Sequence, residues 1–398
     1  MHGVPDVRPM PRADDPAFTA ARGVAALWVF LYHVWLSVGP QRLLVPVAGT
    51  TVDLTPLASV GWAGVDVFYV LSGFLLWGAF DDYASRRTDA IRVARFAERR
   101  ALRILPPFYA QVALLAVLGL ATTWVEPPSW TTLALHATLT HGLSYQHFQS
   151  VNNVWWTLSI EAQFYVTLPL LAMAIRRYGW ATVLAGGLAA MLAFRIAAFA
   201  AFRDAPVIEK VWALEQFPGR IDQFLAGMLA SHLARARDGS AARLRAALAD
   251  ATALRVALAC VGPVTLVALG YLLHVDDFYL RYWNGHPWVY AWHLVAGIGI
   301  AISFHAIAVR PGADTGAPMA LPWRTLAALG LVSYSFYLWH ELLLRWLSAW
   351  IKAVWGAATL PALGMNFALG LPLALAVAVA WFALFEAPFL RARATLRG

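Results

Sequence analysis

The feature that most restricts the fold of this chain is a recurrence of apolar runs, each about twenty residues long and so long enough to cross a bilayer as a helix. One of them is ARGVAALWVFLYHVWLSVG, residues 21 to 39, which carries Arg22 at its start and His33 inside it. An ionisable group among hydrocarbon tails costs free energy, about 2.5 kcal/mol or more when charged, so its presence asks for a reason. Composition agrees with the runs. Of the 398 residues 60% are hydrophobic and 13% charged, against about 25% charged in soluble domains. The sequence therefore predicts an all-α membrane protein, and water-soluble fold classes drop out. Nineteen tryptophans fit belts at headgroup depth.

Ten spans are expected, near 20–39, 58–80, 104–124, 155–175, 180–202, 214–234, 254–274, 288–308, 325–350 and 365–388. Ten spans place both termini on one face. That face then holds 22 of the 30 Lys and Arg, including the seven arginines from Arg86 to Arg103. The positive-inside rule makes it the cytoplasmic face. The sixth run contains Arg220 and Asp222 and is the weakest, but removing it destroys the charge asymmetry. The net charge of +8 is thus topological, and no nucleic-acid partner is expected. Residues 1–18 read as a cytoplasmic tail without a cleavable signal peptide, 19–390 as one membrane domain, and 391–398 as a second short tail. The basic segment 81–103 reads as an amphipathic cytoplasmic helix on anionic lipid. Within 125–154, WTTLALHATLTHG reads as an interfacial or re-entrant helix. Segment 310–323 is a Pro/Gly-rich loop. Cys260 is the sole cysteine and reads as packing.

At about 1.5 Å per residue, His33 lies roughly 16 Å deeper than Arg22 and on the same helix face. By the same measure Asp66, Glu161, Arg195, Arg220, Asp222, His340 and Glu341 fall in one band of depth. Such groups face one another or a wet cavity rather than lipid. Structural ion pairs, such as Glu161 with Arg195 or Arg220, are the plain alternative for any one of them. For the layer as a whole a polar intramembrane cavity is the better reading, because a buried ion pair is often no better than apolar packing. The cavity serves either a bound substrate or a transport path.

An embedded histidine suits proton transfer, since its ordinary pKa of about 6.5 is near neutrality. Asp66 or Glu161 would orient His33 as base. His136, His141 and His147 lack the spacing of a helix face, so no metal site is expected. The Arg22–His33 separation suits a linear substrate with phosphates at the cytoplasmic face and a reactive end within the bilayer, which is the form of acyl-coenzyme A. Arg100 and Arg103 can add bidentate phosphate contacts. Ser72 and Ser159 read as packing residues.

Seven ordered blocks extend this reading. They are RGVAALWVFLYH, GWAGVDVFYVLSGFLL, RRALRILPPFY, WWTLSIEAQFYVTLPLL, RIDQFLAGML, SYSFYLWH and FEAPFL. In them the chain resembles the integral-membrane acyltransferase-3 family over about residues 18–390, with Thr157 where serine is usual. The resemblance implies ten core spans, a cytoplasmic acyl-CoA donor, and a carbohydrate or related hydroxyl acceptor. It implies His33 as the catalytic histidine, with Arg22, Arg100 and Arg103 supporting donor binding. Glu161 and Asp66 match family positions. It also implies a stand-alone form, since only about ten residues follow the tenth span.

The expected activity is O-acylation, with acyl-CoA as co-substrate and acetyl-CoA its first candidate, of a carbohydrate or glycosylated acceptor, the acyl length being left open. No permanently bound cofactor is expected. The Ala/Arg-rich composition points to a bacterial chain, and so to the inner membrane as its location. A polytopic transporter or flippase is the rival class, and a non-catalytic membrane scaffold a weaker one.

Overall fold

A computed structural model describes residues 15–38, 42–80, 90–121, 126–236, 238–274, 282–310, 320–355 and 360–395. Most of residues 1–18, the start of the 81–103 segment, residues 311–319 of the Pro/Gly-rich loop and residues 396–398 of the second tail lie outside them. Helix follows helix along the described chain. Helix α1 (Pro16–Ser37) starts four residues before the predicted span, because Asp15 caps it by accepting the Ala17 N–H at 2.8 Å and Pro16 stands at its first position. Both choices are favoured at a helix start. Asp15 also receives Arg310 at 2.8 and 2.9 Å, which ties the start of α1 to a distant helix end.

An exposed hairpin follows, β1 (Leu44–Val47) paired antiparallel with β2 (Thr50–Asp53), turning through Ala48 and Gly49 at positive φ. The chain returns through α2 (Thr55–Ser59) and a 3₁₀ turn to α3 (Gly64–Trp77). Helix α4 (Ala90–Ala121) joins the basic segment and the third span in one rod with Pro106 and Pro107 inside. After α5 (Trp130–Ala137) comes α6 (Trp156–Ala201), broken at Gly179, where φ is 80° and ψ 165°. Only glycine takes that backbone readily. The chain reverses there. Glu161 lies beside Ser72 and Trp180 beside Trp77, and by Arg195 the helix has returned to the level of Gly219.

Next come α7 (Val207–Leu214), α8 (Ile221–Arg235), α9 (Gly239–Asp250), α10 (Thr252–His274) and α11 (Trp288–Ala308). The chain ends in α12 (Leu321–Leu331), α13 (Ser333–Trp355), α14 (Leu360–Trp381), a π-helical turn and α15 (Ala387–Thr395). The main packed pairs are α3 with α8, α1 with α12, α10 with α11, and α13 with α14. Glycine permits the first of these. A Cβ on Gly73 would strike the Phe224 carbonyl, and one on Gly227 the Val70 carbonyl. Small residues that let backbones touch are how helices associate in lipid, where no hydrophobic force drives them together.

Among the described residues six helices are long and apolar enough to cross a membrane: α1, most of α4, α6, α10, α11, and α14 with its continuation. They account for seven of the ten expected runs, because α6 holds both the fourth and the fifth. The other three are shorter or interrupted. The second begins in a 3₁₀ turn before α3, the sixth in a 3₁₀ turn before α8, and the ninth is broken at Val332 between α12 and α13. Leu120, Val166 and Val264 stand exposed on the outer surface, as lipid-facing side chains do. The fold is that of an all-α membrane protein.

Candidate active site

Helix α1 sets the axis of the site. Arg22, Ala26, Val29 and His33 recur every three or four residues along one of its faces, the spacing that stacks side chains in a row. Arg22, Ala26 and Val29 border a chamber of about 980 Å³, called inner because it lies toward the start of α1. The basic end of α4 adds Arg100 and Arg103, and α6 adds Glu161 and Tyr165. Three guanidinium groups thus meet a single carboxylate in that lining. Glu161 accepts from Ser72 Oγ at 2.8 Å and from Tyr165 Oη at 3.1 Å. The pairing of Glu161 with Arg195 or Arg220 read from the sequence is therefore not made. Ser72, read as packing, is a hydrogen-bond donor to that carboxylate.

His33 is half-buried and borders a second, outer chamber of about 1380 Å³ with Tyr32, Trp62, Asn153, Glu215 and Glu341. Val29, Val65, Thr157 and Tyr337 border both chambers and form the wall between them. The Tyr337 hydroxyl lies 2.7 Å from Thr157 Oγ1 and donates to the Val154 carbonyl. His340, from α13, borders the inner chamber. Across the wall its Nε2 lies 3.3 Å from Nδ1 of His33, which is also 2.8 Å from the Val29 carbonyl. Glu341 is held by Arg345 at 2.8 Å and receives Asn153 at 3.3 Å.

Asp66 is not brought to His33. It is fully buried and held by Arg220 at 2.8 Å, His293 at 3.0 Å and Gln223 at 2.5 Å. Glu215 completes this cluster, 3.2 Å from Arg220 and 3.1 Å from His293. The Arg220 guanidinium lies over the Tyr69 ring, 5.3 Å from its centroid. Arg195 donates from Nε to the Gly219 carbonyl and from Nη1 to the Val289 carbonyl. The one band of charge inferred from depth is thus several groups: an ion cluster joining α3, α8 and α11, an arginine-rich chamber, and the histidine pair with its neighbouring carboxylate. Neither acidic residue expected to orient His33 touches its ring. The reason is azimuth, since Asp66 faces α8 and α11 while Glu161 faces Ser72 and Tyr165.

Sequence reasoning missed Glu215 and His293 as members of the ion cluster. His293 is visible as an ionisable residue inside an apolar run, but nothing local names its partners. His136 and His141 stack with ring centroids 4.2 Å apart and planes 4° from parallel. One ion cannot lie in both ring planes at once, so this pair is a packing element against Phe108 and Trp155.

The all-α membrane fold thus holds a chamber lined by three arginines and, at its wall, a pair of histidines in contact. The chain belongs to the acyltransferase-3 family: the family model, described as an acyltransferase domain, matches residues 15–386. It is an acyltransferase. A protein of Komagataeibacter xylinus named for membrane-bound transacylase activity is 24% identical over 322 residues, 73% of this chain and 70% of that one. Nodulation protein 10 of Rhizobium leguminosarum bv. viciae is 28% identical over 194 residues, 44% and 48% of the two chains. A Staphylococcus aureus protein named for O-acetyltransferase activity is 24% identical over 184 residues, 40% of this chain and 25% of that one. No solved structure matches the chain.

Proposed function

We propose that this protein transfers an acyl group, acetyl in the simplest case, from cytoplasmic acyl-CoA to a hydroxyl of a carbohydrate or glycosylated acceptor. It does so within a ten-span domain, residues 19–390, of the bacterial inner membrane, with both termini in the cytoplasm. The observation that carries this reading is the inner chamber, whose lining sets Arg22, Arg100 and Arg103 against Glu161, with the buried Glu386 also within electrostatic reach of Arg103 and Arg22. That surplus of guanidinium suits the phosphates of coenzyme A, which arginine recognises through paired N–H donors.

The donor lies with its phosphates on the three arginines and its thioester at the Tyr337–Thr157 wall. The acceptor reaches the same wall from the outer chamber. His33 Nε2 takes the hydroxyl proton as that oxygen attacks the thioester carbonyl. The new O–C bond forms, the C–S bond breaks, and the proton passes from His33 to the leaving thiolate. General base catalysis of this kind contributes about 10²–10⁴-fold, and holding donor and acceptor together contributes more, up to roughly 7–11 kcal/mol. Glu161 acts at one remove, holding Ser72 and Tyr165 and offsetting part of the arginine charge. Asp66 acts at a further remove, holding three helices in register. A transporter or flippase would also use two chambers, but family membership favours transfer.

The test is incubation of the purified protein with labelled acetyl-CoA, measuring free CoA and label moved to acceptor. His33→Ala should abolish turnover while coenzyme A binding and the unfolding transition stay as in the wild type. Wild-type turnover in that variant overturns the role of His33. Absence of coenzyme A binding to the wild type overturns the donor.

A further inference from the structure

With both rings neutral, the carbonyl partners of the histidine pair assign one proton to each ring. A carbonyl oxygen only accepts. Nδ1 of His33 faces the Val29 carbonyl at 2.8 Å, so Nδ1 carries the hydrogen and Nε2 is bare. Nδ1 of His340 faces the carbonyls of Tyr337 at 2.9 Å and Phe336 at 3.2 Å, so it too carries the hydrogen and its Nε2 is bare. That bare Nε2 is the atom 3.3 Å from Nδ1 of His33. With these tautomers the one Nδ1–H of His33 is shared between the Val29 carbonyl at 2.8 Å and, as the weaker branch, His340 Nε2 at 3.3 Å, so His33 donates and His340 accepts. Backbone carbonyls on two helices set this direction, since one ring nitrogen's partner decides the state of the other. His340 is 1% exposed, and its ring lies 8° from parallel to Phe336, which holds the plane of the acceptor.

From this geometry we infer that His340 is the positioning residue of the base, filling with a neutral imidazole the place the sequence reading gave to Asp66 or Glu161. It keeps His33 in the tautomer with a bare Nε2 on the outer chamber. When Nε2 takes a proton, the Nδ1–H of the imidazolium remains held between Val29 O and His340 Nε2. A neutral acceptor suits this place because a second buried carboxylate would itself need a partner. The nearest carboxylate, Glu341, is already paired with Arg345. The inference rests on the reading of His33 as base, but the proton positions it requires can be measured without any substrate.

The first arm is solid-state nitrogen NMR of ¹⁵N-histidine-labelled protein in lipid bilayers, with His33→Ala and His340→Gln used for assignment. The expected result is a protonated His33 Nδ1 linked through its hydrogen to a bare His340 Nε2. A protonated His340 Nε2, or no correlation between the two rings, overturns the inference. The second arm is CoA release from acetyl-CoA. His340→Phe keeps a ring against Phe336 but removes the acceptor, and should cut turnover by about 10²-fold, the lower end of a positioned base's contribution. His340→Gln places Oε1 near the site of Nε2 and should recover at least tenfold over His340→Phe. Full turnover in His340→Phe, or equal loss in both variants, shows a packing role and overturns the inference. If the wild type moves no acyl group, the functional reading fails, while the NMR arm still decides the histidine pair.

Discussion

Arg220→Met is the sharpest perturbation of the buried ion cluster. Arg220 is 1% exposed and Asp66 0%, and the guanidinium faces two carboxylates at 2.8 and 3.2 Å. Methionine keeps much of the apolar stem and brings no charge. Asp66 and Glu215 are then left with one imidazole, His293, and the Gln223 amide. One imidazole cannot compensate two buried carboxylates. Removing one partner of a buried pair costs about 3–5 kcal/mol, which is roughly two to three and a half decades in the folding equilibrium. Asp66→Asn should cost less, because Arg220 keeps Glu215. The double variant Arg220→Met/Asp66→Asn should recover most of the loss, since opposite charges leave together and the Glu215–His293 pair at 3.1 Å survives. The assay is unfolding of the detergent-solubilised protein by added dodecyl sulfate, followed by tryptophan fluorescence. The reasoning is refuted if Arg220→Met costs no more than about 1 kcal/mol, the level of an exposed pair. It is equally refuted if the two single losses simply add in the double variant.

Two further outcomes are expected. Arg100→Ala and Arg103→Ala should each raise the KM for acetyl-CoA by about tenfold or more, the worth of a hydrogen bond to a charged group, with a smaller change in kcat. An unchanged KM would make these arginines topology signals only. In the segment between α4 and α6, burial and then the stacked His136 ring push His141 down from 6.5 to about 3. The folded chain therefore binds fewer protons than the unfolded one between those values, and stability is full above about 6.5 and lost as pH falls toward 3. Melting curves from pH 7 to pH 4 should show a smaller loss for His141→Asn than for the wild type. Parallel losses in the two proteins would exclude His141 as the source.

Much of the fold was legible because lipid allows the backbone few alternatives. Apolar runs near 16–37, 252–274 and 288–308 become helices close to where they were expected. The break at Val332 was not legible, for AALGLVSYSFY reads as one continuous run. It lies beside Gly330, where a Cβ would strike the Thr19 carbonyl of α1. The β1–β2 hairpin was not read although LLVPV and TTV are rich in β-branched residues, because its first strand is exposed on both faces and shows no alternation of apolar and polar positions. For the site, height was legible and azimuth was not. Counting residues places Asp66, Glu161, His340 and Arg220 at similar depth, but which face of the bundle each one meets depends on packing between distant segments. His33 and His340 are 307 positions apart, and nothing local announces that they touch. The convergence of Arg22, Arg100 and Arg103 was foreseeable, because charge and motif spacing pointed the same way.

Helix α13 carries a mechanical consequence. Tyr334, Tyr337 and His340 follow one another every three residues and border the inner chamber, while Tyr337 and Glu341 border the outer one. A single stiff rod, jointed to α12 at Val332, therefore serves both compartments. Any slide or roll of that rod reshapes the two together.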